Sequence, residues 1–227
     1  MERYNIFNLI HKGLRAALYQ TGLQLQQTDF TVAEEKESAV NRVKEIVMLF
    51  DAHAHKEDHF ILPAIEAYEP SVVATFESEH VTDLQLGEQL GAKILQVEHA
   101  GSLLEQIVAG RELTESFVAF MVFNLKHMAK EEDIINKILW RYYSDEEIKN
   151  ISGQITATVE PWMQDFYATW MLRGINTSEA TTWIKATEKG APSVVFQSLI
   201  QKAKQELPAG RFLKVHESVF ENKVLAN

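Results

Sequence analysis

SFVAFMVFNLKHMAKEEDIINKILW, residues 116–140, settles the fold class. Phe117, Phe120, Val122, Phe123, Leu125, Ile134, Ile138 and Leu139 recur at helical intervals with no two-residue alternation, so the segment reads as a long amphipathic helix. Thr114 or Glu112 is expected to open it, and it should finish near Tyr143. His127 and Glu131 lie four residues apart within it, which puts an imidazole and a carboxylate on one face, and Phe120 and Phe123 flank the imidazole.

Three further helical stripes precede it. The first runs from Ile6 through Leu9, Ile10, Leu14, Ala17, Leu18 and Leu25 to about Gln27. Thr31 with Glu34 reads as a capping box opening the second, which carries Val40, Val43, Val47, Phe50 and Ala54 toward Ile65. Tyr68, Glu69 and Pro70 interrupt it. The third pattern passes through Val73, Phe76, Leu84, Leu90, Ile94, Leu103 and Val108, with Gly110 expected to stop it. Four long helices joined by short polar connections predict an all-α, up-down-up-down four-helix bundle over residues 1–143. Residues 144–227 read as a helical C-terminal extension. Ser144 with Glu147 opens a helix toward Leu172 that Pro161 bends or breaks. Further helices are expected from Asn176, from Pro192 to about Glu206, and after Pro208 and Gly210 toward Phe220. The aromatic run Trp162, Phe166, Tyr167 and Trp170 is expected to pack this extension on the bundle.

Composition narrows the function. Ten Gly and five Pro in 227 residues favour long helices, and 22 basic against 32 acidic residues leave a formal charge of -10. No positive surface is expected for a nucleic-acid backbone or an anionic membrane leaflet. The longest unbroken apolar run, Phe117 to Phe123, is far shorter than the roughly 20 residues that span a bilayer. The N-terminal MERYNIFNLIHKGLR has no secretory pattern, and the absence of cysteine removes disulfides, thiolate ligands and thiol nucleophiles. A cytoplasmic location is the expectation.

The chemistry lies in the histidines at 11, 53, 55, 59, 80, 99, 127 and 216. With a rise of about 1.5 Å per residue, His11, the pair His55 and His59, His80, and the pair His127 and Glu131 fall at one level of an antiparallel bundle. Each also shares a stripe with apolar neighbours: His11 with Phe7 and Leu14, His59 with Leu62, His80 with Phe76 and Leu84. Any one of these rings alone fits a solvated or hydrogen-bonded histidine. Several imidazoles and a carboxylate in one apolar layer are costly unless a cation uses their lone pairs. The set therefore predicts a metal site. His53, His99 and His216 read as surface residues.

NLIHKGLR (8–15), HAHKEDHFILP (53–63), ESEHVTDLQL (77–86) and NLKHMAKEEDII (124–135) together resemble the hemerythrin-like, or HHE cation-binding, family. That family is a bundle with histidine on the first and third helices and His-x-x-x-Glu on the second and fourth. The resemblance implies a non-haem di-iron centre held by His11, His55, His80, His127 and Glu131, with His59 standing where the family carries its helix-two glutamate. Five histidines and one acid also suit a single ion or an asymmetric pair, and Glu66 and Asp51 are alternative sources of negative charge. Nitrogen-rich ligation without sulfur fits iron, zinc, copper or nickel; the resemblance selects iron.

The function expected from this set is an iron-binding protein that binds or senses dioxygen, nitric oxide or a related oxidant, or takes part in iron-centre repair. Phe7, Phe76, Phe120 and Phe123 would wall the site. A sensor is favoured over an enzyme. Two alternatives stay open: a di-iron oxidase or ferroxidase, which carries Glu-x-x-His on two helices, and a structural or interaction protein with a degenerate or mononuclear site. The tryptophans of the extension are compatible with a homodimer surface.

Overall fold

The long apolar stripe around Phe117 becomes α5 (Leu103–Tyr142), the longest helix of a computed structural model that describes residues 3–224. Its start lies earlier than the sequence suggests. Ser102 accepts a hydrogen bond from the Glu105 backbone N–H while the Glu105 side chain reaches back to the Ser102 N–H, satisfying two donors that a helix start otherwise leaves unpaired. Gly110 is thus no terminator. It lies buried inside α5, where an added Cβ would overlap the ring of Phe30, so its role is to admit that ring.

α4 (Pro70–His99) precedes it, with Pro70 at the first helical position, where its missing N–H costs nothing. Only Ala100, Gly101 and Ser102 separate α4 from α5, and so short a link makes the two neighbours antiparallel. α1 (Asn8–Gln27) and α2 (Ala33–Lys56) complete the bundle. The expected Thr31 capping box does not form: Asp29 accepts both the N–H and the hydroxyl of Thr31, and Val32 precedes α2 with no side-chain cap. α2 then passes through a π-helical turn (Glu57–Ile61) into the short α3 (Leu62–Glu66), with the Leu62 N–H bonded to the Glu57 carbonyl five residues back.

Beyond the bundle, the Ser144 and Glu147 capping box opens α6 (Asp145–Ala157), as expected. Pro161 breaks rather than bends the next segment: α7 (Pro161–Gly174) is a separate helix. α8 (Thr177–Gly190) begins with a reciprocal cap between Asn176 and Glu179, and α9 (Ser193–Glu206) and α10 (Ala209–Val224) follow. No strand occurs among the described residues, and none of their helices is long and apolar enough to cross a membrane.

Two compact units emerge. One contains the residues up to Asn8 together with Ala17–Val159; a buried cluster in it joins Phe7, Ile61, Leu62, Ile65, Val73, Phe76, Ile135, Leu139 and Ile148. The helix after Ser144 groups with the bundle, in a unit that runs to Val159. The other contains Leu9–Ala16 with the chain from Glu160 onward, around Leu172, Ile175, Ile184, Phe196, Leu199 and Val215. Gly174 lets α7 press against the backbone of Lys12, and the Lys12 ammonium pairs with Glu179. Of the aromatic run, Trp170 is buried and Trp162 is half exposed.

Candidate metal centre

The inner faces of four helices carry an unusual load of polar groups for a hydrophobic core. His11, Glu57, His80, Asp83, Asn124, His127 and Glu131 are all buried, Glu57 to 1% and Glu131 to 0% exposure. Two sets of four side chains each bring one ligand atom apiece within 4.8 Å of one another: His11, His53, Glu57 and Glu131, and Glu57, His80, His127 and Glu131. Glu57 and Glu131 belong to both. The arrangement is two histidine pairs joined by two shared carboxylates.

In the second set the ring nitrogens point inward. His80 Nε2 lies 3.1 Å from His127 Nε2 and 3.4 Å from Glu57 Oε2, and His127 Nε2 lies 3.1 Å from Glu131 Oε1. On the first side His53 Nε2 lies 3.1 Å from Glu57 Oε1. Metal–nitrogen bonds of about 2.1 Å at right angles put neighbouring donors about 3 Å apart. The spacing thus suits donors around a common ion. The outer ring nitrogens are held as well: His80 Nδ1 donates to Asp58 Oδ1 at 2.6 Å, and His127 Nδ1 donates to Glu79 Oε2 at 2.9 Å. Glu79 in turn pairs with Lys130.

Burial opposes charge on both rings, yet the hydrogen bonds and charges of Asp58 and Glu57 raise His80 to about 10, and those of Glu131 raise His127 to about 9. The carboxylates around each ring therefore favour its positively charged form. Asp83 is pushed up by burial, partly offset by the hydrogen bond it accepts from the Asn124 amide at 2.6 Å. Aromatic rings close the layer. Phe76 meets His127 edge-on at 5.6 Å, Phe123 stacks parallel to it at 6.0 Å, and Phe50 meets Phe120 edge-on at 5.4 Å. Phe7 is buried in the apolar cluster that also contains Phe76.

Of the residues nominated from sequence, His11, His80, His127 and Glu131 are brought into these sets. His55 and His59 are not. Both are exposed, and they stack on each other at 3.9 Å while His59 Nδ1 donates to the His55 carbonyl. The helix-two side chains in the sets are His53 and Glu57, the former expected at the surface from sequence. Glu66 and Asp51, the alternative acids, are exposed and belong to neither set. Glu57, two residues before His59, places a buried carboxylate in both sets. Leu84 is also exposed, because α4 turns Val73, Phe76, His80, Asp83, Gly87 and Leu90 inward instead.

The π-helical turn explains part of this geometry. A wider turn displaces the downstream side chains around the axis, so adjacent Glu57 and Asp58 both address His80, one at each ring nitrogen. Such turns occur often at functional sites.

The profile of the hemerythrin HHE cation binding domain matches residues 3–139. Two curated relatives are both F-box/LRR-repeat protein 5. The salmon (Salmo salar) protein is 22% identical over 73% of this chain, and the bovine (Bos taurus) protein 20% identical over 69%. The chain spans about a fifth of the length of either, 22% in both cases. No solved structure matches.

Proposed function

The chain belongs to the hemerythrin HHE cation-binding family, and on that premise we propose that it holds two iron ions, one between His11 and His53 and one between His80 and His127, with Glu57 and Glu131 shared. The observation that carries this reading is the sharing itself, since a carboxylate common to both sets offsets the repulsion between two close cations. Four neutral imidazoles and two carboxylates supply an all nitrogen and oxygen donor set, which suits iron and the neighbouring transition metals. Two acids rather than one favour a pair of ions over the mononuclear alternative.

Iron in such a site would supply reversible one-electron chemistry and a position open to a small diatomic ligand. The protein's own part is to hold the ligands rigidly and limit access. Phe76 and Phe123 against His127, and Phe120 against Phe50, leave an apolar lining suited to dioxygen or nitric oxide rather than to an organic substrate. Buried Asp83, hydrogen-bonded to Asn124, is a polar group within the electrostatic field of His80, His127 and His53. We read the protein as a sensor or scavenger of such a gas or oxidant, acting in a reducing compartment such as the cytoplasm. Iron-loaded protein should contain about two equivalents of iron and show an absorption band that changes on exposure to dioxygen or nitric oxide. A metal-replete sample with no ligand-dependent band refutes the gas-binding role.

A further inference from the structure

The inner ring nitrogens of His80 and His127 can serve a cation only if the outer ones keep their protons. An imidazole that carries its proton at Nδ1 presents a lone pair at Nε2; the other tautomer presents an N–H and repels a cation. Which tautomer prevails depends on what accepts the outer proton. Here the acceptors are two carboxylates, Asp58 on the π-helical turn and Glu79 on α4, at 2.6 and 2.9 Å. Neither belongs to the sets that could hold an ion.

We infer that Asp58 and Glu79 are positioning residues for the His80 and His127 half of the centre, each fixing the ring tautomer and strengthening its inward nitrogen as a donor. The inference rests on the two-ion reading above. Their placement is the geometric observation behind it. Glu79 immediately precedes His80 in sequence yet turns to the ring of His127 on the next helix, while Asp58 reaches across from the π-helical turn to His80. Each carboxylate thereby ties one ligand ring to a different helix from the ligand's own, so the rings are braced from outside the core. Lys130 holds Glu79 in turn, which extends the brace to the surface of α5.

Charge works in the same direction. Glu57 and Glu131 contribute two negative charges to the sets, Asp58 adds a third one ring away, and Glu79 divides its charge between the His127 ring and Lys130. A carboxylate behind an imidazole makes it a better donor, and loss of such a partner typically weakens metal affinity about 10- to 100-fold.

The test is a titration of the full metal-free chain with Co2+ alone, followed by the cobalt absorption band and by calorimetry. Wild type is expected to take up two equivalents. Asp58→Asn and Glu79→Gln, which keep side-chain size and remove the charge, should each weaken one of the two binding events about 10- to 100-fold and shift the cobalt band. Both variants binding two ions within threefold of wild type, with an unshifted band, would overturn the inference. His80→Ala separates the two levels of the argument. If it binds two ions as tightly as wild type, the two-ion reading fails; if it loses one while Asp58→Asn and Glu79→Gln behave as wild type, only the positioning role fails. Ring-nitrogen NMR of zinc-loaded wild type needs no variant. Nδ1 protons at His80 and His127 shifted strongly downfield, as in hydrogen bonds to carboxylates, support the role; Nδ1 protons without that shift, or Nε2 protonated at either ring, contradict it.

Discussion

Replacing Glu57 by glutamine should damage both halves of the centre at once, whereas replacing His59 by alanine should damage neither. The Glu57 carboxylate is 1% exposed, with Oε1 3.1 Å from His53 Nε2 and Oε2 3.4 Å from His80 Nε2, so one side chain serves both sets. Glutamine preserves the shape and removes the charge. Taking one partner from a buried charge pair costs about 3–5 kcal/mol, because the other charge is left without compensation. At about 1.4 kcal/mol per tenfold, that is roughly two to three and a half decades of affinity, shared between two ions. His59 is exposed and stacked on His55, so His59→Ala should change affinity less than about twofold. The assay is an anaerobic Fe2+ titration of metal-free protein, paired with melting curves at saturating metal. Bound metal at about 100 times its dissociation constant adds about 2.7 kcal/mol of stability, a gain that Glu57→Gln should largely lose. Glu57→Gln binding two ions within threefold of wild type, or His59→Ala losing an ion, would refute the assignment of the helix-two ligands.

The metal-free protein should lose stability in alkali. His80 and His127 have folded-state values of about 10 and about 9, above the ordinary histidine value of 6.5; their protonated forms stabilise the fold fully below about pH 6.5, and that contribution fades as pH rises through 9 and then 10. Denaturation midpoints from pH 6 to 10.5 should fall over this window, with metal affinity rising as the competing protons leave; a flat profile counts against the buried cluster. Gly174→Ala should destabilise by about 1–3 kcal/mol or more, because its Cβ would overlap the Lys12 carbonyl, a backbone group that cannot swing aside. An unchanged melting temperature would contradict that packing. Ser102→Ala should cost about 1 kcal/mol by removing the cap of α5, read as a lowered midpoint in urea.

The bundle was legible because helical periodicity survives local error. Gly110 shows the kind of error it tolerates: read as a stop, it is instead a notch for Phe30, and the real break at Ala100 to Ser102 carries a Ser-x-x-Glu cap that the apolar pattern of Leu103 and Val108 obscured. Leu103, assigned to the core stripe, is mostly exposed. Level and stripe place His11, His80, His127 and Glu131 in the grouped sets, since α1, α4 and α5 are regular through those positions.

Helix two was harder for a definite reason. HAHKEDHF offers two pairs at four-residue spacing, His53 with Glu57 and His55 with His59, and two residues of offset is about 200° around a helix, so they face opposite ways. Leu62, three residues later, is the apolar neighbour that points to His59. That neighbour lies beyond the π-helical turn, which shifts the register, so the face of Leu62 says nothing about the face of His59. Upstream residues point to the other pair: Ile46, Phe50, His53 and Glu57 follow at steps of four, three and four, and Ile46 and Phe50 are buried. The roles of Asp58 and Glu79 had no sequence signature, because each depends on reaching a ring from another helix.

Anomalous diffraction at the iron edge, from crystals grown of protein loaded with ferrous salt, tests the central claim most directly. The account predicts two neighbouring peaks, one beside His11 and His53 and the other beside His80 and His127, with Glu57 and Glu131 reaching both. A peak at His55 and His59, a single peak at full occupancy, or no peak within the helix bundle would contradict it.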